Sequence, residues 1–441
     1  MSSAMNQRRW SRIWPMAAAA LALFGAVSTS FAQQFALRDG ETVVFYGDSI
    51  TAQRLYTKDV EEFVLTRYPQ MHIHFVNAGV PGDTAGGGYT GTMAERVARD
   101  VAPYQPGMIT VMLGMNDGGW GYGSPEQIEA DFKTKYSALL HQLRNAAPDA
   151  AFTLICTTPY DEITHGTEFP GYSHMVERLA ADVAQIGSEM QASAVQPVFV
   201  VDFHGPMVNA LLRAKADNPE IAPLFIPDRI HPSPAGHWIM AAALLSVWHA
   251  NPVVSSVSLN AADAQADSAE RTKVSDLRKS DNGIAWTQLD EALPLPLDFN
   301  DAMTLEMLRV SNVAAVDRQI LQVTSLEPGT YELSIDGKPI ASFSRDALQA
   351  GVNLALDKTP MLSQARDVAS HEDQRAELDQ ARFIVASDVK PMPTSGIAEA
   401  TLRAAQDELD TSIHKDLAPA PHKYELRRVA ENSNNHSGGA D

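Results

Sequence analysis

From Glu41 to about residue 250, short apolar runs alternate with amphipathic stretches and Gly- or Asn-rich turns. The runs Thr42–Tyr46, Ile73–Val76, Met108–Leu113, Phe152–Ile155 and Pro197–Val201 are rich in β-branched and aromatic residues. Short apolar runs bounded by turn residues predict strands buried on both faces, as in parallel sheets. Helices are expected between them. The clearest opens at Ser124-Pro125-Glu126-Gln127, which predicts a capping box with proline at the first helical position. Phe132, Tyr136, Leu139, Leu140 and Leu143 then line one face at helical spacing. Such alternation predicts an α/β fold over residues 33–250, a three-layer α/β/α sandwich around a mostly parallel five-stranded sheet.

Beyond Asn251-Pro252 the pattern changes. Val253–Leu259 alternates polar and apolar, and the runs Thr330–Ile335 and Ile340–Phe343 flank Asp336-Gly337, a strong hairpin signal. A small β-rich C-terminal appendage is expected within residues 251–390, followed there by a helical piece through Gln364–Phe383. Residues 391–441 are dominated by Pro, polar and charged residues and predict a mostly flexible tail, with one helix at Gly396–Thr411.

Residues 1–32 combine Arg8, Arg9 and Arg12 with the apolar run Met16–Val27, and then Ser30 and Ala32 flanking Phe31. That is the pattern of a signal peptide cleaved after Ala32, so an exported protein, periplasmic or extracellular, is expected. The apolar run is shorter than a span of about 20 residues, so no stable membrane anchor is expected after cleavage.

Charge narrows the partners. The 441 residues carry 34 Lys plus Arg against 54 Asp plus Glu, a net charge of −20. This balance argues against nucleic acid as the main partner and gives no electrostatic attraction to anionic lipid. The single cysteine, Cys156, excludes an intramolecular disulfide and any multi-cysteine metal site. Its apolar surroundings predict a buried, unreactive thiol.

In open α/β sheets the site lies beyond the carboxyl ends of the strands, so those ends carry the candidate chemistry. The first strand runs into Gly47-Asp48-Ser49, where the serine is either a nucleophile presented on a tight turn or a helix cap. The second ends in Asn77-Ala78-Gly79, whose glycine N–H either approaches an oxyanion or simply makes a βα turn. Asn116, in Gly114-Met115-Asn116-Asp117, offers a side-chain oxyanion donor or a turn residue. After the fifth strand, Asp228-Arg229-Ile230-His231 precedes the helix start Ser233-Pro234. An aspartate three residues before a histidine can fix its tautomer, although a surface loop pair is the bland alternative. Asp202 and His204 follow the fifth strand as site-lining candidates, with Asp202 equally readable as a capping residue. Trp120 and Tyr122, in a glycine-rich loop just after Asn116, are candidate substrate-binding residues. Each block alone also fits a structural role, but their conjunction in this order points to serine-based acyl transfer.

The four blocks resemble those of the SGNH hydrolases, the GDSL esterase/lipase superfamily, over about residues 40–250. The resemblance implies Ser49 as nucleophile, His231 as general base and Asp228 as the acid of the triad. It implies Ser49, Gly79 and Asn116 as oxyanion donors. Ile50 stands where leucine is usual. A flavodoxin-like sandwich, with no metal and no cofactor, is also implied, and the appendage resembles the C-terminal extension of some exported bacterial members. With export and an aromatic loop, the expected substrate is a carboxylic ester, most simply an acetyl ester of a carbohydrate. The alternatives are arylesterase, lysophospholipase or thioesterase activity, transfer of an acetyl group to a glycan, or carbohydrate binding around a vestigial site.

Overall fold

The computed structural model describes residues 34–280, 282–387 and 395–429. The predicted leader, residues 1–32, lies outside the described residues, as does the end of the predicted tail from residue 430. Five parallel strands form the first sheet: β1 (Thr42–Gly47), β2 (His74–Gly79), β5 (Met108–Met112), β6 (Ala151–Cys156) and β7 (Val198–Asp202), in the order β2-β1-β5-β6-β7. Two short strands, β3 (Gly87–Gly88) and β4 (Gly91–Thr92), pair as a small ribbon in the loop after β2.

Alternation within β1 shows why the sheet is covered twice. Val43 and Phe45 pack on one side with α2 (Leu55–Arg67), α6 (His204–Asp217) and α7 (Pro234–Val247). Val44 and Tyr46 pack on the other with α3 (Met93–Asp100), α4 (Pro125–Ala146) and α5 (Tyr172–Gln191). With both faces buried, a strand can be apolar throughout, which is the pattern read from the sequence. The short helix α1 (Ser49–Ala52) caps the end of β1. Helix α4 carries its predicted apolar face buried, with Pro125 in its first turn. The predicted capping box is absent: the Ser124 hydroxyl bonds the nearby Glu126 carboxylate at 2.9 Å instead of a backbone N–H.

The rest of the chain is a β-rich module with two further sheets. One contains β8 (Val253–Asn260), β9 (Gln265–Glu270), β12 (Arg318–Thr324) and β15 (Val352–Asn353), ordered β15-β12-β8-β9. The other runs β10 (Thr272–Ser280), β11 (Gly283–Asp290), β16 (His422–Arg428), β13 (Thr330–Ile335) and β14 (Lys338–Ser344). The predicted hairpin turns on Asp336 and Gly337, whose φ angles of 51° and 76° suit the primed turn that fits strand twist. Helices α8 (Ala302–Val310), α9 (Arg345–Ala350), α10 (Pro360–Ser387) and α11 (Ser395–Asp416) complete the module.

The tail expectation needs correction. Residues 422–428 are not flexible but form β16, hydrogen-bonded between β11 and β13 in the middle of a sheet. Tyr424 and Leu426 point inward and are 2% and 0% exposed; Tyr424 stacks on Trp286 with ring centres 5.0 Å apart.

Candidate active site

The end of β1 places the first group. Gly47 is needed for space, since a Cβ there would run into the Thr51 side chain and the Met112 carbonyl. Asp48 caps α1, its Oδ1 accepting from the Ile50 N–H at 3.0 Å, and Ser49 is the first helical residue, half-buried. Its backbone N–H belongs to the first helical turn, where no intrahelical acceptor exists.

The Asp228–His231 loop meets this serine across the sheet end. His231 Nε2 lies 2.8 Å from Ser49 Oγ, and His231 Nδ1 lies 2.7 Å from Asp228 Oδ2. A carboxylate against Nδ1 fixes the proton there and leaves the Nε2 lone pair for the serine hydroxyl. Asp228 Oδ1 also accepts from the N–H groups of Ile230 and His231, at 3.0 and 2.7 Å. Burial works to raise the Asp228 pKa, but these N–H donors and the imidazole outweigh it and hold the carboxyl below its ordinary range. Ser233 then caps α7, directly after the loop. The loop is open to solvent: the Asp228 and His231 side chains are 57% and 27% exposed.

The predicted oxyanion donors converge on the same corner with different degrees of freedom. The Asn116 amide donates one hydrogen to the Asp83 carbonyl at 3.0 Å, leaving its second hydrogen to offer. The Gly79 N–H is engaged at 3.1 Å by the side-chain oxygen of Asn77. It therefore meets an oxyanion only by sharing or exchanging that bond. Asn77 in turn donates to the Thr51 carbonyl and the Thr57 hydroxyl, at 2.8 and 3.0 Å, so it ties β2 to the serine helix. Beneath these groups, burial lifts Asp48 to about 7 and Asp117 to about 6. Arg96, buried, bonds Asp83 and Asp100.

His237, which sequence reasoning passed over, links the two halves of the site. It is fully buried and accepts from the Tyr56 N–H on Nδ1 at 3.0 Å, so Nε2 carries the proton toward Gln53 Oε1 at 3.1 Å. Burial pushes its pKa down to about 3, so it is neutral and structural, holding α7 against α1 and α2. Cys156 is buried and its thiol is pushed up to about 12 by burial, matching the expected inert thiol. Asp202 accepts from the Gly205 N–H at 3.0 Å and so caps α6.

Of the two aromatic candidates, only Trp120 joins a cluster: it stacks on Tyr172 at 4.6 Å and meets Phe169 edge-on at 5.9 Å. Tyr122 is 78% exposed. Arg229, within the Asp228–His231 loop, was not singled out from sequence, although its place beside the aspartate was a signal. Among the described residues no three His, Cys, Asp or Glu side chains gather to hold a metal ion.

Known proteins share the sequence family and the fold. Residues 45–239 match the GDSL-like Lipase/Acylhydrolase family. An acetylxylan esterase of Geobacillus stearothermophilus is 26% identical over 223 residues, covering 47% of this chain and 93% of that protein. A solved structure of a gut microbial diltiazem-metabolizing enzyme superposes with a TM-score of 0.74 at 24% identity, covering 89% of this chain and 98% of that one. The sandwich and the β-rich module thus occur together in another protein. Residues 45–239 thus form a domain of the GDSL-like lipases and acylhydrolases, within the SGNH hydrolase superfamily, which makes the protein an ester-bond hydrolase.

Proposed function

We propose that the protein removes acyl groups, acetyl foremost, from carbohydrate esters by a serine mechanism. The observation that carries this reading is the unbroken hydrogen-bonded chain from Asp228 through His231 to Ser49 Oγ. His231 Nε2 takes the Ser49 proton as Oγ attacks the ester carbonyl. The Ser49 N–H, the free hydrogen of Asn116 and the Gly79 N–H then meet the oxyanion, a contribution of about 3 kcal/mol per well-placed donor. The imidazolium, steadied by ionised Asp228, gives its proton to the leaving alcohol. Water repeats the sequence in reverse roles and releases the acid.

The choice of carbohydrate rests on three supports. The open loop leaves room for a bulky alcohol. Trp120 belongs to an aromatic cluster with Phe169 and Tyr172, whose hydroxyl bonds the carbonyl of Met115, the neighbour of Asn116. The similar Geobacillus protein is named an acetylxylan esterase. The leader-like residues 1–32 support action in the periplasm or outside the cell. Trp286 and Tyr424 of the β-rich module stack inside its core and present no face to a sugar.

Acetylated oligosaccharides, aryl acetates and lysophospholipids should be compared with wild-type and Ser49→Ala enzyme, quantifying both released and transferred acyl groups. Ser49→Ala should lose all turnover while keeping its circular dichroism and melting temperature. An active Ser49→Ala variant rejects the mechanism, and preference for lysophospholipid rejects the substrate.

A further inference from the structure

Residues 161–170 form no helix or strand, yet they are fastened to the loop that carries Asp228 and His231. The Asp161 N–H donates to the Arg229 carbonyl at 2.9 Å, and His165 Nε2 reaches the Ile226 carbonyl at 3.0 Å. The Arg229 guanidinium donates to the Gly166 carbonyl and pairs through Nε with Glu168 at 3.0 Å. Arg229 achieves this double engagement with a left-handed backbone, φ 72°, which turns its carbonyl and its side chain to the same neighbour. The segment is also rigid within itself. The buried Asp161 carboxylate accepts from the Ile163 and Thr164 N–H groups, at 2.8 and 2.9 Å, and from the Thr164 hydroxyl.

At its far end the segment reaches the other side of the site. Phe169 packs edge-on against Trp120, and Trp120 stacks on Tyr172. The Tyr172 hydroxyl donates to the carbonyl of Met115, the neighbour of Asn116. One continuous rim therefore runs from the histidine loop to the asparagine that faces the oxyanion. Its first part is charged and solvent-facing, with Glu168 56% and Arg229 22% exposed; its second part is aromatic.

Acyl transfer gives this rim a direction. As the bond from Ser49 Oγ to the acyl carbon forms and the ester C–O bond breaks, the proton taken from Ser49 passes from His231 Nε2 to the departing alcohol oxygen. The alcohol must therefore leave beside the imidazole, along the element bonded to its loop. We propose that residues 161–170 and Trp120 form the wall that receives the leaving alcohol, with Arg229 as the positioning residue that keeps this wall in register with His231. The alcohol that fits has an apolar ring face for Trp120 and adjacent hydroxyls for Glu168 and Arg229, as a pyranoside does. This rests on the serine-esterase reading above.

The test compares an acetylated xylo-oligosaccharide with 4-nitrophenyl acetate, which carries the same acyl group on an alcohol without hydroxyls. Glu168→Gln and Phe169→Leu should raise KM for the sugar ester, shifting the ratio of kcat/KM between the two substrates by about tenfold. Arg229→Ala should lower kcat on both substrates as well as raise the sugar KM, and Arg229→Lys should recover part of each. Glu168 is on the surface, so Glu168→Gln decides the matter if an Arg229 variant fails to fold. An unchanged substrate ratio in Glu168→Gln and Phe169→Leu overturns the wall. An Arg229→Ala enzyme with wild-type kcat and KM overturns the positioning role. Ser49→Ala, assayed in parallel, separates the two ideas: full activity there rejects the esterase reading itself, whereas an inactive Ser49→Ala with unchanged ratios rejects only the wall.

Discussion

Gly79 and Asn116 are both cast as oxyanion donors, but they are held in place by different physics, and their variants should differ accordingly. A Cβ on Gly79 would drive into the backbone of Thr51 and Ala52, so Gly79→Ala must push the serine helix away. We expect loss of about 1–3 kcal/mol of stability along with most of the activity. Asn116 is only part-buried and its side chain makes one bond to the Asp83 carbonyl. Asn116→Ala should reduce kcat by about 10²–10³ with little change in melting temperature. Thermal denaturation alongside kcat separates the two cases, and an Asn116→Ala enzyme with wild-type kcat rejects that donor. At this scale the sequence was informative where the proposed chemistry demands a residue type: Ser49, Asp228 and His231 stood out because serine acylation would need them together, and the structure joins them in one hydrogen-bonded chain. The supporting role of His237 was hidden, because its partner Tyr56 lies 181 positions away in sequence.

At the scale of elements, helix α2 departs from the usual amphipathic design. Ten of its residues are buried, among them Thr57, Asp59, Glu61, Glu62, Thr66 and Arg67, because α10 and the segments around Leu293 and Asp317 pack on the side that an isolated sandwich would turn to water. Charges are consequently crowded in this seam. Lys58, Asp59, Glu61 and Glu62 of α2 meet Glu372, Asp373 and Arg375 of α10, with Asp410 of α11 near Arg375. Burial, reinforced by Asp373 and Glu372 against the opposing pull of Lys58, lifts Glu62 to about 8, and burial with Glu62 lifts Asp59 well above its ordinary value. The folded seam thus holds protons that the unfolded chain releases. Its contribution is full below the ordinary carboxylate pKa and is lost as pH rises toward about 8. Glu62→Gln should raise stability at about pH 8 by about 1–3 kcal/mol and change it little at about pH 4. Urea midpoints at the two pH values test this, and an unaltered pH slope rejects it. The five parallel strands and their helices were legible in sequence because their signals are local. Strand β16 was not: His422–Arg428 has only Tyr424 and Leu426 as inward residues, and its partners are strands from much earlier in the chain.

Taken as a whole, the molecule changes sheet at Val253 without dividing there in energetic terms. Arg67, near the end of α2, pairs with Asp317 of the β-rich module at 2.8 Å, with both side chains at most 1% exposed. Arg67 also donates to the Asn251 carbonyl at 2.9 Å, and Asp317 accepts from the Leu295 N–H at 3.0 Å. Burial pulls the arginine down to about 10 and the aspartate up to about 6, the sign of an ion pair that neither partner would survive alone. The Leu293 N–H closes the same seam on the Thr66 carbonyl at 3.0 Å. A chain ending at Asn251 would expose Arg67 without Asp317 and Glu61 without Arg375, together with the apolar residues that α2 turns toward the module, such as Leu65. It should therefore be poorly soluble or unfolded, even though it holds Ser49, Asp228 and His231. Within the full chain, Arg67→Met should cost about 3–5 kcal/mol, because Asp317 is left buried and unpaired. Adding Asp317→Leu should restore most of that loss, since an apolar pair satisfies the same space. Denaturation of the two single variants and the double variant measures the coupling between the halves. Additive losses would mean that the seam is not a cooperative unit, and that the module is an attachment the esterase could discard.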